Sequence, residues 1–161
     1  MSNHFINKVQ EFFTLYRIPI IGHFHSIPIA TFSLCDNLVT EELGEYLNAL
    51  EKKDKLEQMD ALCDLMYVTA YTSIALGRVG AVAQSLEHNP LNAVTHLQTQ
   101  LRKPDKCIRG TTAALNECYS ALAHAGNQLG AFIPAFDAVH ENNMDKLWPE
   151  KPAEWDGLMW Y

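Results

Sequence analysis

Apolar residues recur at helical spacing along most of the chain, and this pattern predicts an all-α protein. Residues 3–17 have an apolar side chain every three or four positions, and the run stops where Ile18-Pro19 disfavours helix. The stretches of about 32–53 and 54–77 repeat this pattern and are separated only by a short polar turn. Two amphipathic stretches joined so closely predict an antiparallel helix hairpin.

Three later helices complete the predicted bundle. They cover about 91–101 after Pro90, 108–129 before a glycine, and 135–147 after Pro134. A length of 161 residues fits one domain with its own core, so residues 1–161 are interpreted as a single domain. The proline-broken, aromatic tail from residue 148 is expected to cover another surface of the subunit or of a neighbour.

The composition excludes several classes of function. A formal net charge of −7 repels a polyanionic duplex, so nucleic acid is not expected as a partner. The four cysteines show no CxxC pair, which fits a reducing cytoplasm. The N-terminal residues do not resemble a signal peptide, and there is no run of 18 apolar residues. We therefore expect a cytoplasmic protein that does not cross a membrane.

Acidic residues are concentrated on the predicted hairpin. Glu42 and Glu45 are three positions apart and Asp60 and Asp64 are four apart, so each pair lies on one helix face. With the turn centred near residue 53, Glu45 would face Asp60 and Glu42 would face Asp64. Four acids then converge, and like charges at that distance are costly unless cations neutralise them.

A hard divalent cation is the expected partner of this cluster. Oxygen ligands without histidine or cysteine favour Mg²⁺, which Mn²⁺ could replace, and Mg²⁺ leaves positions for water and phosphates. Metal-assisted phosphoryl or nucleotidyl transfer to water would follow. The alternatives are a solvated acidic face with salt bridges and a di-iron carboxylate bundle. The di-iron alternative is weak, because such bundles use a Glu-x-x-His motif and the most similar sequence here is Asp137-x-x-His140.

Four segments resemble the MazG-like all-helical nucleotide pyrophosphohydrolases, which are related to phosphoribosyl-ATP pyrophosphohydrolase. They are VQEFFTLYRIPI (9–20), VTEELGEYLNAL (39–50), EQMDALCDLMYVTAYTSIALG (57–77) and AFDAVHENNMDKLW (135–148). The resemblance implies a MazG-like bundle that splits a nucleoside triphosphate into monophosphate and pyrophosphate with magnesium. About fifty additional residues, 78–130, would form an inserted helical segment.

The family motif is Glu-x-x-Glu followed by Glu-x-x-Asp, and the second half departs here. Ala61 stands three positions before Asp64, so Asp60 is interpreted as the replacement, with Glu57 as the alternative in another register. The resemblance thus implies Glu42, Glu45, Asp60 and Asp64 as metal ligands. It also implies Glu41 as the residue that orients or deprotonates the attacking water.

The late segment VHENNMDKL resembles the family's phosphate-binding stretch, which implies that Asn143 and Lys146 contact the nucleotide. It is closest to phage proteins, including the MazZ group that acts on dGTP and GTP. A guanine nucleotide is therefore the expected substrate, and in a phage the enzyme would act in the host cytoplasm. Subunits of the family pair near their active sites, so a homodimer or homotetramer is expected.

Other interpretations of the sequence stay open. The acids could be surface residues of a non-enzymatic helical interaction module with the tail as its binding site. A house-cleaning enzyme for dUTP or dCTP, or a phosphatase that releases single phosphates, would use a similar metal site. The apolar loop 18–30 with Phe24 could line a base pocket, although a structural role is its default interpretation.

Overall fold

A computed structural model describes residues 2–79 and 85–146 of the chain. In these ranges there are six α-helices and no strand, which confirms the predicted all-α class. The helices are α1 (Ser2–Leu15), α2 (Ile29–Lys52), α3 (Lys55–Ala75), α4 (Pro90–Arg102), α5 (Ile108–Leu129) and α6 (Phe132–Asp145), and a single 3₁₀ turn covers Phe24–Ser26.

The α2–α3 hairpin has the tight turn that the sequence predicts. Lys53 adopts a left-handed conformation with φ of 55°, which ends α2. The carboxylate of Asp54 accepts hydrogen bonds from the backbone N–H groups of Leu56 and Glu57, each at 3.0 Å. These bonds satisfy donors that have no partner in the first turn of a helix. The turn therefore fixes which residues of α2 face which residues of α3.

Helix α3 is the centre of the bundle. It packs against α1, α2, α5 and α6, and from Ala61 to Ala75 every residue except Asp64 is buried. A helix that is apolar on all sides must be enclosed by other helices. Asp64 is thus the one acidic side chain in this part of α3, and it lies where α2 leaves the helix partly open.

The predicted inserted segment contributes buried side chains to the core and does not add an uncovered apolar surface. Helices α4 and α5 pack on each other, and they also cover α2 and α3. Leu115, Tyr119 and Leu122 on α5 are buried inside the single chain. These three residues therefore offer no apolar surface for assembly, because the other helices of the same chain already cover them.

Helix α6 differs from its predicted bounds at both ends. It begins at Phe132, before Pro134, because proline is tolerated in the first helical turn, where its missing N–H has no partner to lose. It ends at Asp145, so Lys146 is the residue after the helix. The predicted packing of the aromatic tail falls on residues 147–161, outside the described ranges. Within them, no helix is long and apolar enough to span a membrane.

Candidate active site

A cleft of about 330 Å³ opens between α1, α2, α3 and the end of α6. Its lining combines acidic side chains with aromatic and apolar ones, and a lysine and an asparagine come from the end of α6. The lining residues are Phe12, Leu38, Glu42, Glu45, Asp64, Tyr67, Val68, Tyr71, Asn143 and Lys146. Five of the seven residues predicted for the site therefore line one cleft.

Three of the predicted metal ligands lie together at the acidic side. Glu42, Glu45 and Asp64 each offer a carboxylate oxygen, and these oxygens lie within 4.8 Å of one another. Glu42 and Glu45 share one face of α2, and Asp64 lies across the hairpin on α3. The sequence prediction that Glu42 and Asp64 share a level is in accord with this geometry.

Within residues 2–79 and 85–146, no basic side chain forms an ion pair with this cluster. Burial, followed by the charge of Asp64, raises the pKa of Glu42 to about 8. Burial, followed by the charges of Glu45 and Asp60, raises the pKa of Asp64 to about 6, although Lys146 acts in the opposite direction. The Oε2 atom of Glu42 is buried and has no hydrogen-bond partner. Such an atom is costly unless a ligand satisfies it.

A hard divalent cation fits these residues. Carboxylate oxygens are the donors that Mg²⁺ and Mn²⁺ prefer, and a cation would satisfy the free Glu42 oxygen and offset the repulsion among the acids. The cluster contains no histidine or cysteine, the donors that zinc sites usually have. The residues that would hold the ion are Glu42, Glu45 and Asp64.

Asp60 and Glu41 lie beside this cluster. Asp60 is exposed and lines an adjoining hollow with Glu45 and Asp64, and its charge contributes to the raised pKa of Asp64. Glu57 borders the same hollow and forms an exposed ion pair with Lys52 at 3.6 Å. Glu41 is exposed, and its charge helps to raise the pKa of Glu42.

The end of α6 brings Asn143 and Lys146 to the cleft. Because Lys146 follows the helix, its position depends on a hydrogen bond from the Tyr16 hydroxyl to its carbonyl oxygen at 3.1 Å. The same hydroxyl also lies 3.3 Å from the carbonyl oxygen of Asn143. Tyr16, just after the end of α1, therefore holds the backbone that carries both side chains.

The aromatic wall was not identified from the sequence. Tyr67, Val68 and Tyr71 follow Asp64 at spacings of three, four and seven, so helical periodicity alone places them on the face of Asp64. That periodicity was the available signal. Phe24, considered for a base pocket, instead packs in the core with its ring 5.5 Å from that of Phe32. The interpretation of Phe24 as a structural residue of the apolar loop is confirmed.

Residues 23–84 match the model of a family described as phosphoribosyl-ATP pyrophosphohydrolase. This segment is similar to the phosphoribosyl-ATP pyrophosphohydrolase family. The match covers less than half of the chain, but it contains α2, α3 and all three clustered carboxylates. It confirms the resemblance to the MazG-like fold and supports a nucleotide pyrophosphohydrolase, a hydrolase of acid anhydrides. No curated protein and no solved structure matches the chain significantly.

The family domain and the rest of the cleft come from different parts of the chain. Helix α1, helix α6 and the residue after α6 lie outside the matched phosphoribosyl-ATP pyrophosphohydrolase segment, yet they supply Phe12, Asn143 and Lys146. Divalent-metal dependence is typical of the family, in accord with the acidic cluster. A nucleotide with a phosphate chain is the class of substrate that the family implies.

Proposed function

We propose that the protein is a Mg²⁺-dependent nucleoside triphosphate pyrophosphohydrolase that releases a nucleoside monophosphate and pyrophosphate. The observation that supports it best is the cluster of Glu42, Glu45 and Asp64, with one buried and unsatisfied carboxylate oxygen, in a cleft that also holds Lys146. A bound cation would polarise the phosphates and help water to act as nucleophile. The triphosphate would lie between the acids and the lysine.

We assign the remaining roles as follows. Water attacks the α-phosphorus, the bond from this atom to the bridging oxygen breaks, and pyrophosphate leaves. Glu41 orients the water and takes its proton, because an exposed carboxylate beside the cluster can do so without being a metal ligand. Lys146 stabilises the negative charge that develops on the leaving group, and Asn143 gives a neutral hydrogen bond to the phosphates. Asp60 completes the metal site at its outer edge.

The nucleobase is proposed to lie against the aromatic wall. Phe12, Tyr67 and Tyr71 line the same cleft as the acids, and planar rings favour a flat base. From the resemblance to phage proteins we propose a purine, with dGTP and GTP as the preferred substrates. Preference for dUTP or dCTP would instead assign a house-cleaning role.

A panel of ribo- and deoxyribonucleoside triphosphates tests this proposal. The four common bases and uracil are each incubated with the protein and Mg²⁺, and monophosphate, pyrophosphate and orthophosphate are quantified together. We expect equal amounts of monophosphate and pyrophosphate, fastest with dGTP or GTP. Orthophosphate as the primary product would indicate a phosphatase, and no hydrolysis of any nucleotide would favour an interaction module.

We also propose that the protein forms a homodimer or homotetramer. Exposed leucines support this: Leu47 and Leu50 on α2 and Leu91 on α4 are each about two-fifths exposed, and Leu56 on α3 is 74% exposed. Such surface is often covered by a neighbouring subunit. Light scattering should give at least twice the chain mass of 18.2 kDa. A fully active monomer at working concentration would contradict the proposal.

A further inference from the structure

A chain of hydrogen bonds crosses three helices and ends in the cleft. It begins at Glu11 on α1, whose side chain is 54% exposed, and its Oε2 atom lies 2.9 Å from Nε2 of His140 on α6. The other ring nitrogen, Nδ1, lies 3.0 Å from the hydroxyl of Tyr67 on α3. The side chain of Asn143 acts on the same hydroxyl as a hydrogen-bond donor and lowers its pKa, against the larger rise that burial causes. Tyr67 and Asn143 both line the cleft.

The direction of each hydrogen bond in this chain follows from the carboxylate of Glu11 at its exposed end. A carboxylate can only accept, so Glu11 requires the hydrogen of His140 on Nε2. When the ring is neutral, Nδ1 then has a lone pair and no hydrogen, so the Tyr67 hydroxyl donates to it. The single hydrogen of Tyr67 is then committed, and its oxygen must accept from Asn143.

The chain thereby selects one orientation of the Asn143 amide. With one N–H directed at Tyr67, its carbonyl oxygen and its second N–H remain for a ligand. The flipped amide would place its carbonyl oxygen against a hydroxyl oxygen that has no hydrogen to give, which is unfavourable. The ring of Tyr67 cannot easily move away, because it packs against Phe12 and Phe136 with centroids 5.7 Å from each.

We propose that Glu11, His140 and Tyr67 are positioning residues that fix the Asn143 amide for the phosphate chain of the substrate. This inference rests on the proposed function for its effect on catalysis. A purely structural role would join α1 to α6 without affecting the cleft. The same two helices contain such a pair, since Nε2 of His4 lies 2.7 Å from a carboxylate oxygen of Asp137 and neither residue lines the cleft.

The pair of His4 and Asp137 provides a matched control. Glu11→Ala and Asp137→Ala each remove one carboxylate that binds a histidine between α1 and α6, and alanine is favourable in helices. Tyr67→Phe removes only the hydroxyl and keeps the packed ring. The kcat and KM of each variant are measured with Mg²⁺ and the triphosphate that the wild type hydrolyses fastest.

We expect Tyr67→Phe to lower kcat about tenfold, a common effect of losing a hydrogen bond behind a site residue. Glu11→Ala should lower kcat roughly threefold, and it should have no further effect in the Tyr67→Phe background, because it acts through that hydroxyl. Asp137→Ala should keep the wild-type kcat. The inference is overturned if Glu11→Ala and Asp137→Ala have equal kcat, or if Glu11→Ala has the same effect with and without the Tyr67 hydroxyl.

A second measurement does not depend on activity. The ¹⁵N chemical shifts of the His140 ring should show the hydrogen on Nε2 in the wild type, and a mixture of tautomers in Glu11→Ala. If the wild type hydrolyses no nucleotide but these shifts behave as expected, the proposed function fails and the hydrogen-bond chain stands. Hydrogen on Nδ1 in the wild type would overturn the chain, whatever the activity.

Discussion

Glu42 on α2 and Asp64 on α3 bring their carboxylate oxygens within 4.8 Å of each other across the helix hairpin. Burial raises the pKa of both groups, to about 8 for Glu42 and about 6 for Asp64. The folded hairpin therefore holds acids in a place that disfavours their charged forms. This relationship determines how stability should depend on pH and on divalent cations.

Without divalent cations, the melting temperature should fall as the pH rises from about 4.5 to 8. The folded-state pKa values lie above the unfolded values of 4.5 for Glu42 and 3.8 for Asp64. The folded state thus binds protons more tightly, and this contribution to stability is lost as the pH rises through the folded values. Scanning fluorimetry in EDTA should show a decrease of roughly 3–6 °C.

The double variant Glu42→Gln, Asp64→Asn is the control for this pH dependence. Its amides do not titrate, so its melting temperature should change less over the same pH range, and at pH 8 it should exceed that of the cation-free wild type. Equal slopes for the two proteins would mean that other groups cause the change. The difference between the slopes isolates the two acids.

Saturating Mg²⁺ should raise the melting temperature of the wild type by roughly 5–10 °C, because a ligand at about 100 times its Kd stabilises the folded state by about 2.7 kcal/mol. The shift should be larger at pH 8 than at pH 6, since protons compete with the cation for the same carboxylates. Glu51→Gln, on α2 but not lining the cleft, should keep the shift and Glu42→Gln should lose it. Equal shifts of the melting temperature in the two variants would mean that the cation binds at another site.

Asp60→Asn should reduce hydrolysis about tenfold, and Glu57→Gln should leave it nearly unchanged. The charge of Asp60 acts on Asp64, whereas Glu57 is already paired with Lys52 at the surface. Steady-state kinetics over a range of Mg²⁺ concentrations would show whether the Asp60 variant needs more cation. Full activity in Asp60→Asn with loss in Glu57→Gln would show that the metal site uses the other register.

Lys146→Ala should lower kcat roughly 10- to 100-fold with a smaller change in KM, because charge develops on the pyrophosphate as it leaves. Lys146 lines the cleft and its charge acts on Asp64. Lys103→Ala removes a lysine just after the end of α4, outside the cleft, and should have wild-type kinetics. If Lys146→Ala also behaves as wild type at low and saturating nucleotide, Lys146 is only a surface residue.

Local signals predicted the hairpin and most of its acidic cluster from the sequence. Asp54 caps α3 at the predicted polar turn, and the bounds of α5 agree with the prediction, since caps and glycine stops act within a few residues. The same register brings Glu42 and Asp64 together. These features depend on periodicity and on one short turn, both of which are visible in the sequence.

Contacts between distant segments could not be predicted in this way. His140 is 129 positions from Glu11 and 73 from Tyr67, and no spacing rule connects them. The burial of Leu115 depends on how α5 packs against other helices, which its own amphipathic pattern does not specify. Lys146 was assigned to a helix because no local signal marks the end at Asp145.

The most direct test of the proposed function measures the rate of dGTP hydrolysis at increasing Mg²⁺ concentrations. It compares the wild type with the variants Glu42→Gln, Glu45→Gln and Asp64→Asn. We expect the wild type to form dGMP and pyrophosphate in equal amounts, and only with the cation. Each variant should lose most of this activity, while circular dichroism shows an intact helical fold. Wild-type rates in all three variants, or hydrolysis that does not need the cation, would contradict it.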